Sequence, residues 1–145
     1  MKIIRLGLML MVFCIISAGS LALVYLFTKP KIELNAKLAL EQAKQEVLAG
    51  KKGKADLVSP RGYAGQIDMM VGVGEDGKVI KVKILNQRET PGLGANIIKE
   101  EFLKQFSGKS LKDPIEPKKD IDAITGATIS SRAVSIGVKE ALKKK

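Results

Sequence analysis

The sequence has no histidine, no tryptophan and a single cysteine among its 145 residues. Without histidine the chain lacks imidazole, which is a common zinc ligand and the usual proton shuttle near neutral pH. One cysteine is too few for an iron–sulfur cluster, an internal disulfide or a Cys-x-x-Cys redox pair. These absences exclude a histidine-based zinc enzyme and a dithiol oxidoreductase, and we expect no metal site.

The chain also lacks the motifs of common nucleotide-binding and nucleic-acid-binding proteins. It has no Gly-x-x-x-x-Gly-Lys-Ser/Thr phosphate loop, and the glycines at 62–65 lack the spacing of a dinucleotide fingerprint. Basic residues number 25 against 15 acidic residues, for a net charge of +10. The lysines are scattered and aromatic residues are few, so we expect no nucleic-acid partner. A basic, membrane-tethered module that binds anions stays open as an alternative.

The first 31 residues predict a membrane anchor. Residues 6–28 are uncharged and mostly apolar, and a helix of this length crosses ~30 Å of hydrocarbon. Lys29 and Pro30 predict the end of the span. A cleaved signal peptide is the less favoured alternative, because its apolar region is usually shorter. A lipoprotein signal is disfavoured, because the large Phe13 precedes Cys14.

The anchor resembles a signal anchor, which leaves its amino terminus inside the cell. We therefore expect a single-pass protein of the inner (cytoplasmic) membrane with its soluble domain on the extracytoplasmic side. Lysines on both flanks leave the positive-inside count ambiguous. The predicted organisation is a segment at 1–31, a connecting helix and loop at 32–54, and one domain at 55–145.

Hydropathy patterns predict an α+β fold with antiparallel strands and flanking helices after the transmembrane helix. Apolar residues at helical spacing predict helices over 32–48 and 96–106, with residues 51–54 as a solvated loop. The second of these helices presents Ile98, Phe102 and Phe106 on one face. A last helix is predicted to be capped by Ser130 or Ser131 and to bury Val134, Val138, Ala141 and Leu142.

A β-hairpin is predicted in the middle of the chain. Apolar residues alternate over 67–73 and again at Ile80, Val82 and Ile84, with lysines between them. The intervening Asp76-Gly77 pair is favoured in tight hairpin turns.

Two loops have the composition of ligand-binding segments. The first is Glu89-Thr90-Pro91-Gly92-Leu93-Gly94, in which proline fixes one φ angle and the glycines allow close approach. The second, residues 120–131, has four hydroxyl residues within seven positions directly before a helix. A helix N-terminus attracts phosphate, but an ordinary helix cap has the same composition.

The order of these features resembles the FMN-binding domain of the RnfG/NqrC family. The resemblance extends over about residues 60–142, and its specific part is the Glu-Thr-Pro-Gly-Leu-Gly loop followed by Asp122-Ala-Ile-Thr-Gly-Ala-Thr128. The short chain is more similar to the G subunit of Rnf complexes than to the longer C subunit of sodium-translocating NADH:quinone oxidoreductases. Gln87-Arg88 stands where many relatives have a histidine.

The resemblance implies FMN bound covalently to Thr128 through a phosphoester. It also implies a flavin transferase that uses Mg²⁺ only during attachment, with Asp122 as a recognition residue. No residue is assigned a catalytic role. The other residues implied to contact the cofactor lie in the two loops: Thr125, Gly126, Ala127, Ser130, Ser131, Glu89, Thr90, Gly92, Leu93 and Gly94.

The implied function is electron transfer within an Rnf-type ferredoxin:NAD⁺ oxidoreductase coupled to Na⁺ or H⁺ translocation. Such a subunit is part of an enzyme but acts alone only as an electron carrier. Its partners would be the other membrane subunits and the iron–sulfur and flavin subunits of the complex. A free-standing, membrane-anchored FMN carrier outside the cytoplasm is the alternative within the same class.

Overall fold

The computed structural model describes residues 2–144 and contains a long helix followed by a small α+β domain. The predicted fold class is confirmed. The elements, in chain order, are α1 (Lys2–Leu48), β1 (Gly53–Val58), β2 (Asp68–Gly74), β3 (Val79–Asn86), a 3₁₀ helix (Gly94–Ile98), α2 (Glu100–Lys104) and α3 (Thr128–Lys143). Contacts divide the chain into two units between Leu40 and Glu41. The domain boundary at residue 55 stays a prediction.

Helix α1 is continuous where the sequence predicted an end. By length and composition it can cross a membrane, but Pro30 lies inside it and does not terminate it. A proline within a helix removes one N–H donor and costs about 3 kcal/mol. Helix propagation is cooperative, and the long helical runs on both sides outweigh that local cost. The predicted helix over 32–48 is therefore the second part of α1.

The predicted hairpin is confirmed as β2 and β3, which are antiparallel and lie beside β1 in the order β1-β2-β3. Gly77 adopts a φ of 77° in the turn, and Asp76 Oδ1 accepts a hydrogen bond from the Lys78 N–H. A register shift follows Gly72, so Val79 pairs with Val73. This bulge makes Val79 a core residue in place of the predicted Ile80, which is half-buried.

Strand β1 was not predicted. Gly53 and Lys54 open this strand, although the sequence placed them in a solvated loop. The strand lies at the edge of the sheet and only Val58 is fully buried, so its sequence lacks the alternation that marks a half-buried strand.

Both faces of β2 are covered within the domain. Met69 and Val71 join the core cluster formed with α3, while Gly72 lies against the end of α1. A side chain at Gly72 would overlap the Val47 carbonyl oxygen, and Ala43 and Val47 are themselves buried. The last turns of α1 therefore pack on the sheet.

The predicted helix over 96–106 is divided in two. Lys99 has extended backbone, with φ −63° and ψ 134°, and separates the 3₁₀ helix from α2. This break shifts the apolar face, so Ile97 is buried and the predicted Ile98 is exposed. Phe102 and Phe106 are buried as predicted and pack edge to face with ring centroids 5.4 Å apart.

Helix α3 buries the four apolar residues that the sequence assigned to its inner face. Val134, Val138, Ala141 and Leu142 are each at most 3% exposed. Their burial fixes the rotation of α3 and hence the direction in which its first turn faces.

Candidate functional site

The two loops singled out in the sequence meet around one cavity of about 590 Å³. The first loop contributes residues from 89–94, and the second contributes residues 126–130 at the start of α3. The lining residues are Tyr63, Glu89, Thr90, Leu93, Gly94, Gly126, Ala127, Thr128, Ile129 and Ser130. A volume of this size lies within the range of about 300–1,000 Å³ that is typical of small-molecule and cofactor sites.

The N-terminus of α3 forms one wall of the cavity. Gly126 adopts a φ of 75°, which turns the chain into the helix, and Ala127 is the N-cap residue. Among residues 2–144, no side chain forms a capping hydrogen bond at this N-terminus. The first-turn N–H groups are therefore available to an anion, and the helix dipole favours negative charge there.

The predicted serine cap is wrong, because both serines bond elsewhere. Ser130 Oγ donates to Glu89 Oε2 at 2.5 Å. Ser131 Oγ donates to the Ala127 carbonyl at 3.0 Å and accepts from the Ile124 N–H at 3.1 Å. Helix α3 begins two or three residues before these serines, so their side chains lie within its first turns.

Thr128 is the first helical residue and is partly exposed to the cavity. Its two serine neighbours are almost completely buried. Thr125 is exposed but does not line the cavity. Thr128 is therefore the accessible hydroxyl residue that lines the cavity from this helix terminus, and the exposed Thr90 lines it from the other loop.

Glu89 is 5% exposed and lies where the loops meet. Its carboxylate accepts hydrogen bonds from the N–H groups of Tyr63 (3.3 Å) and Ala64 (3.0 Å), as well as from Ser130 Oγ. Its own N–H donates to Gln87 Oε1 at 2.6 Å. Hydrogen bonds of this kind offset the cost of burying a carboxylate.

Two glycines give the Glu89 carboxylate its space. A side chain at Gly62 would overlap Glu89 Oε1. A Cβ atom at Gly94 would come within 2.8 Å of Glu89 Oε2 and of Ser130 Oγ. A Cβ atom at Gly62 or at Gly94 would therefore lie closer to these oxygen atoms than an ordinary van der Waals contact. Neither position accepts a larger residue without movement of the site.

Three residues implied to contact the cofactor do not line the cavity: Gly92, Thr125 and Ser131. Gly92 is exposed with a φ of 77°, and its carbonyl accepts from Asn96 Nδ2 at 2.7 Å. Conversely, Tyr63 and Ile129 line the cavity and were not assigned to the site from the sequence. The position of Ile129 between hydroxyl residues was the available signal.

Asp122 lies outside the cavity, with its side chain exposed. Gln105 holds its backbone through two hydrogen bonds. The Asp122 N–H donates to Gln105 Oε1 at 2.7 Å, and Gln105 Nε2 donates to the Asp122 carbonyl at 3.3 Å. The end of α2 thus fixes the start of the segment that leads to Thr128.

Asp120 organises the loop before this segment. Its carboxylate accepts from the N–H groups of Ile115 (3.1 Å) and Glu116 (2.8 Å) and pairs with Lys109 Nζ at 2.8 Å. Burial raises the pKa of the Asp120 carboxyl, but the hydrogen bonds from Lys109, Glu116 and Ile115 outweigh that effect and hold the pKa below its usual range. The same loop contains Ile115 and Lys118 at positive φ.

Comparison with known proteins identifies the family to which the chain belongs. The model of the FMN-binding domain matches residues 62–143, which include every residue that lines the cavity. The model of the RnfG N-terminal region matches residues 1–47. The chain belongs to the RnfG family of FMN-binding domain proteins. The resemblance drawn from the two loop motifs is confirmed.

Curated relatives come from several bacteria. The chain is 36% identical to the G subunit of the proton-translocating ferredoxin:NAD(+) oxidoreductase complex of Clostridium ljungdahlii, over 92% of this chain and 86% of that protein. It is 37% identical to the G subunit of the ion-translocating oxidoreductase complex of Pseudomonas aeruginosa, over 73% of this chain and 56% of that protein. It thus spans little more than half the length of the Pseudomonas relative.

A solved structure resembles part of this chain in fold. The C subunit of the Na(+)-translocating NADH-quinone reductase from Parabacteroides distasonis is 25% identical and has a TM-score of 0.53. The match covers 66% of this chain and 56% of that protein. The likeness of fold therefore extends to the C subunit of this sodium-translocating enzyme.

Proposed function

We propose that this chain is the membrane-anchored electron-transfer subunit of an Rnf-type ion-translocating oxidoreductase and carries FMN covalently on Thr128. The observation that supports this most directly is the convergence of both loop motifs on one cavity, with Thr128 at an uncapped helix N-terminus. The name of the Clostridium relative, as a subunit of a ferredoxin:NAD(+) oxidoreductase complex, gives the class of reaction.

The residues present fit FMN. Tyr63, Leu93 and Ile129 are exposed apolar side chains at the cavity, suited to a flat aromatic ring. The first-turn N–H groups of α3 suit its phosphate. When bound, FMN supplies one-electron and two-electron redox chemistry, which no side chain of this chain provides.

Thr128 is the attachment residue in this proposal. A separate flavin transferase would bring FAD and Mg²⁺ to the site. The Thr128 oxygen would bond to the FMN phosphorus as the pyrophosphate bond of FAD breaks. AMP would be the leaving group, and a base of the transferase would take the hydroxyl proton. The chain contributes the hydroxyl and its position at the helix terminus.

Asp122 acts during attachment and not during electron transfer. Its side chain is exposed while its backbone is held by Gln105. This combination presents a carboxylate in a fixed place outside the cavity, where a transferase can reach it. We therefore assign Asp122 to recognition by the transferase.

The partners proposed are the other subunits of an Rnf complex, because the chain matches the RnfG N-terminal region and its relatives are named as G subunits of proton- or ion-translocating oxidoreductase complexes. The apolar part of α1 is long enough to cross a membrane, which supports a single-pass membrane protein. We propose that the FMN domain lies on the extracytoplasmic side. Purification from native membranes, followed by identification of the co-purifying subunits, tests this assembly against a free-standing carrier.

The site assignment is tested by co-expressing the full chain with a flavin transferase. Thr128→Ala is expected to abolish the FMN-sized mass adduct and the flavin fluorescence that survives denaturation. Ser59→Ala is the matched control, because its hydroxyl lies outside the cavity and outside both loops, and this variant should load normally. Asp122→Ala is expected to reduce loading without changing the circular dichroism spectrum. An adduct that persists in the Thr128 variant would contradict the assignment.

A further inference from the structure

We propose that Glu89 is a positioning residue that holds the walls of the cofactor cavity together and engages the Ser130 hydroxyl in a hydrogen bond. Thr128 is then the hydroxyl residue of α3 that is presented for attachment. This inference rests on the function proposed above. All lining residues of the cavity come from three parts of the chain: Tyr63, residues 89–94 and residues 126–130. Glu89 belongs to the second part and bonds directly to the other two.

The hydrogen bonds of the carboxylate show this division. Oε1 accepts from the Ala64 N–H, and Oε2 accepts from both the Tyr63 N–H and Ser130 Oγ. The first two bonds hold the loop that follows Gly62. The third holds the first turn of α3. One side chain therefore sets the distance between two walls of the cavity.

The environment of Glu89 is specific to a carboxylate. The side chain is 5% exposed and forms no ion pair with any lysine or arginine among residues 2–144. Its negative charge is balanced by three hydrogen-bond donors and not by a cation. Removal of the carboxylate would leave two backbone N–H groups and one hydroxyl without their acceptor.

The same contact separates the hydroxyl residues of α3. Ser130 is 2% exposed, and its hydroxyl donates a hydrogen bond to the Glu89 carboxylate. Thr128 lies two residues earlier and is partly exposed to the cavity. Because adjacent residues of a helix turn together, the fixed position of Ser130 also fixes the direction of Thr128.

The test uses the full chain co-expressed with a flavin transferase, with the adduct quantified by peptide mass mapping. Glu89→Ala is expected to lower FMN occupancy at Thr128 about tenfold or more, and Ser130→Ala about threefold. In the flavin-free protein, Glu89→Ala is expected to speed amide hydrogen exchange at Tyr63 and Ala64 but not in β2. Ser130→Ala should leave that exchange unchanged, because those two hydrogen bonds remain.

A double-mutant cycle separates positioning from general destabilisation. If Ser130 acts through Glu89, the double variant loads as poorly as Glu89→Ala alone. Additive losses would overturn the proposal, and so would full loading in either single variant. Should Glu89→Ala fail to fold, Ser130→Ala still decides the outcome. Ser59→Ala is the control, because Ser59 Oγ donates to Asp68 Oδ1 at 2.6 Å, outside the cavity. This variant should carry the normal amount of FMN.

The wild-type result distinguishes this inference from the proposed function. If wild-type protein carries no adduct on Thr128, the proposed function fails. If the wild type is loaded and either single variant is loaded as well as the wild type, only the role of Glu89 fails.

Discussion

Glu89 and Asp120 are both carboxylates that fasten a loop through backbone N–H groups, but their surroundings differ. Asp120 pairs with Lys109 and closes a loop away from the cavity. Within the described residues 2–144, the hydrogen-bond donors to Glu89 are all neutral, and Glu89 lines the cavity itself. A lysine or arginine beside Glu89 could bind the phosphate of the proposed cofactor instead of pairing with the Glu89 carboxylate. The comparison indicates that Asp120 stabilises the fold, whereas Glu89 maintains the geometry of the cavity.

The largest effect that separates the two regions is expected from Gly94→Ala. The new Cβ atom would lie 2.8–2.9 Å from atoms of Glu89 and Ser130. Overpacking of this kind costs about 1–3 kcal/mol, or roughly a factor of 5 to 150 in an equilibrium constant. Because the crowding falls on the residues that shape the cavity, we expect a clear loss of cofactor occupancy. Intact mass of the co-expressed protein measures that occupancy.

Gly65→Ala is the matched control for this change. Its new Cβ atom would meet only the Arg88 side chain, at an ordinary distance of 3.8 Å. We expect near-normal loading. Equal losses in the two glycine variants would show that the crowding around Glu89 is not the cause.

Asp120→Ala is expected to lower stability and leave the site intact. The change removes the acceptor of two backbone N–H groups and the partner of Lys109, so the free energy of unfolding should fall by about 1–3 kcal/mol. Denaturant unfolding of the full chain in detergent measures the loss. A flavin occupancy that falls as steeply as in Gly94→Ala would erase the contrast between the two regions.

The smallest effect is expected in the acid dependence of stability. Hydrogen bonds from Ser110 to Asp113 and ion pairs from Lys119 and Lys139 to Glu116 lower the pKa values of these carboxyls, as occurs at Asp120. An unfolded chain with ordinary pKa values binds protons first as pH falls. Stability should therefore be full above the ordinary carboxyl range, near pH 4, and decline below it.

Asp120→Asn sharpens this measurement. The variant should show a shallower loss of the free energy of unfolding between about pH 5 and pH 3 than the wild type, since one titrating group is absent. The two acid profiles of the full chain in detergent give the comparison. Parallel profiles would mean that Asp120 does not contribute to the acid loss.

The sequence predicted those parts of the fold that rest on strong local patterns. Alternation around Asp76-Gly77 is a short-range signal, and it indicated the hairpin. Helical spacing indicated the buried face of α3. The prediction failed at Pro30, where a local breaker is outweighed by a long helix, and at Lys99, where one extended residue divides a regular pattern. Both outcomes depend on more of the chain than a short window contains.

The candidate site was predicted only in part, for a related reason. The two motifs named most of the cavity residues, because each is a continuous stretch of chain. The hydrogen bonds that Glu89 accepts from the Tyr63 and Ala64 N–H groups join residues 26 and 25 positions apart, and their geometry depends on space left at Gly62. No local pattern marks such a contact. The predicted serine cap was wrong because the Ser130 hydroxyl donates to Glu89 and the Ser131 hydroxyl donates to the Ala127 carbonyl.

The packing of the last turns of α1 on the sheet has a practical consequence for preparing a fragment without its apolar run. Ala43 and Val47 are buried and Val47 lies against Gly72, all within the unit that begins at Glu41. A fragment cut at the start of β1 would expose a strip of apolar strand to solvent and invite aggregation. One that starts near Glu41 retains its own cover, so the two cloning boundaries differ in solubility although both contain every cavity residue.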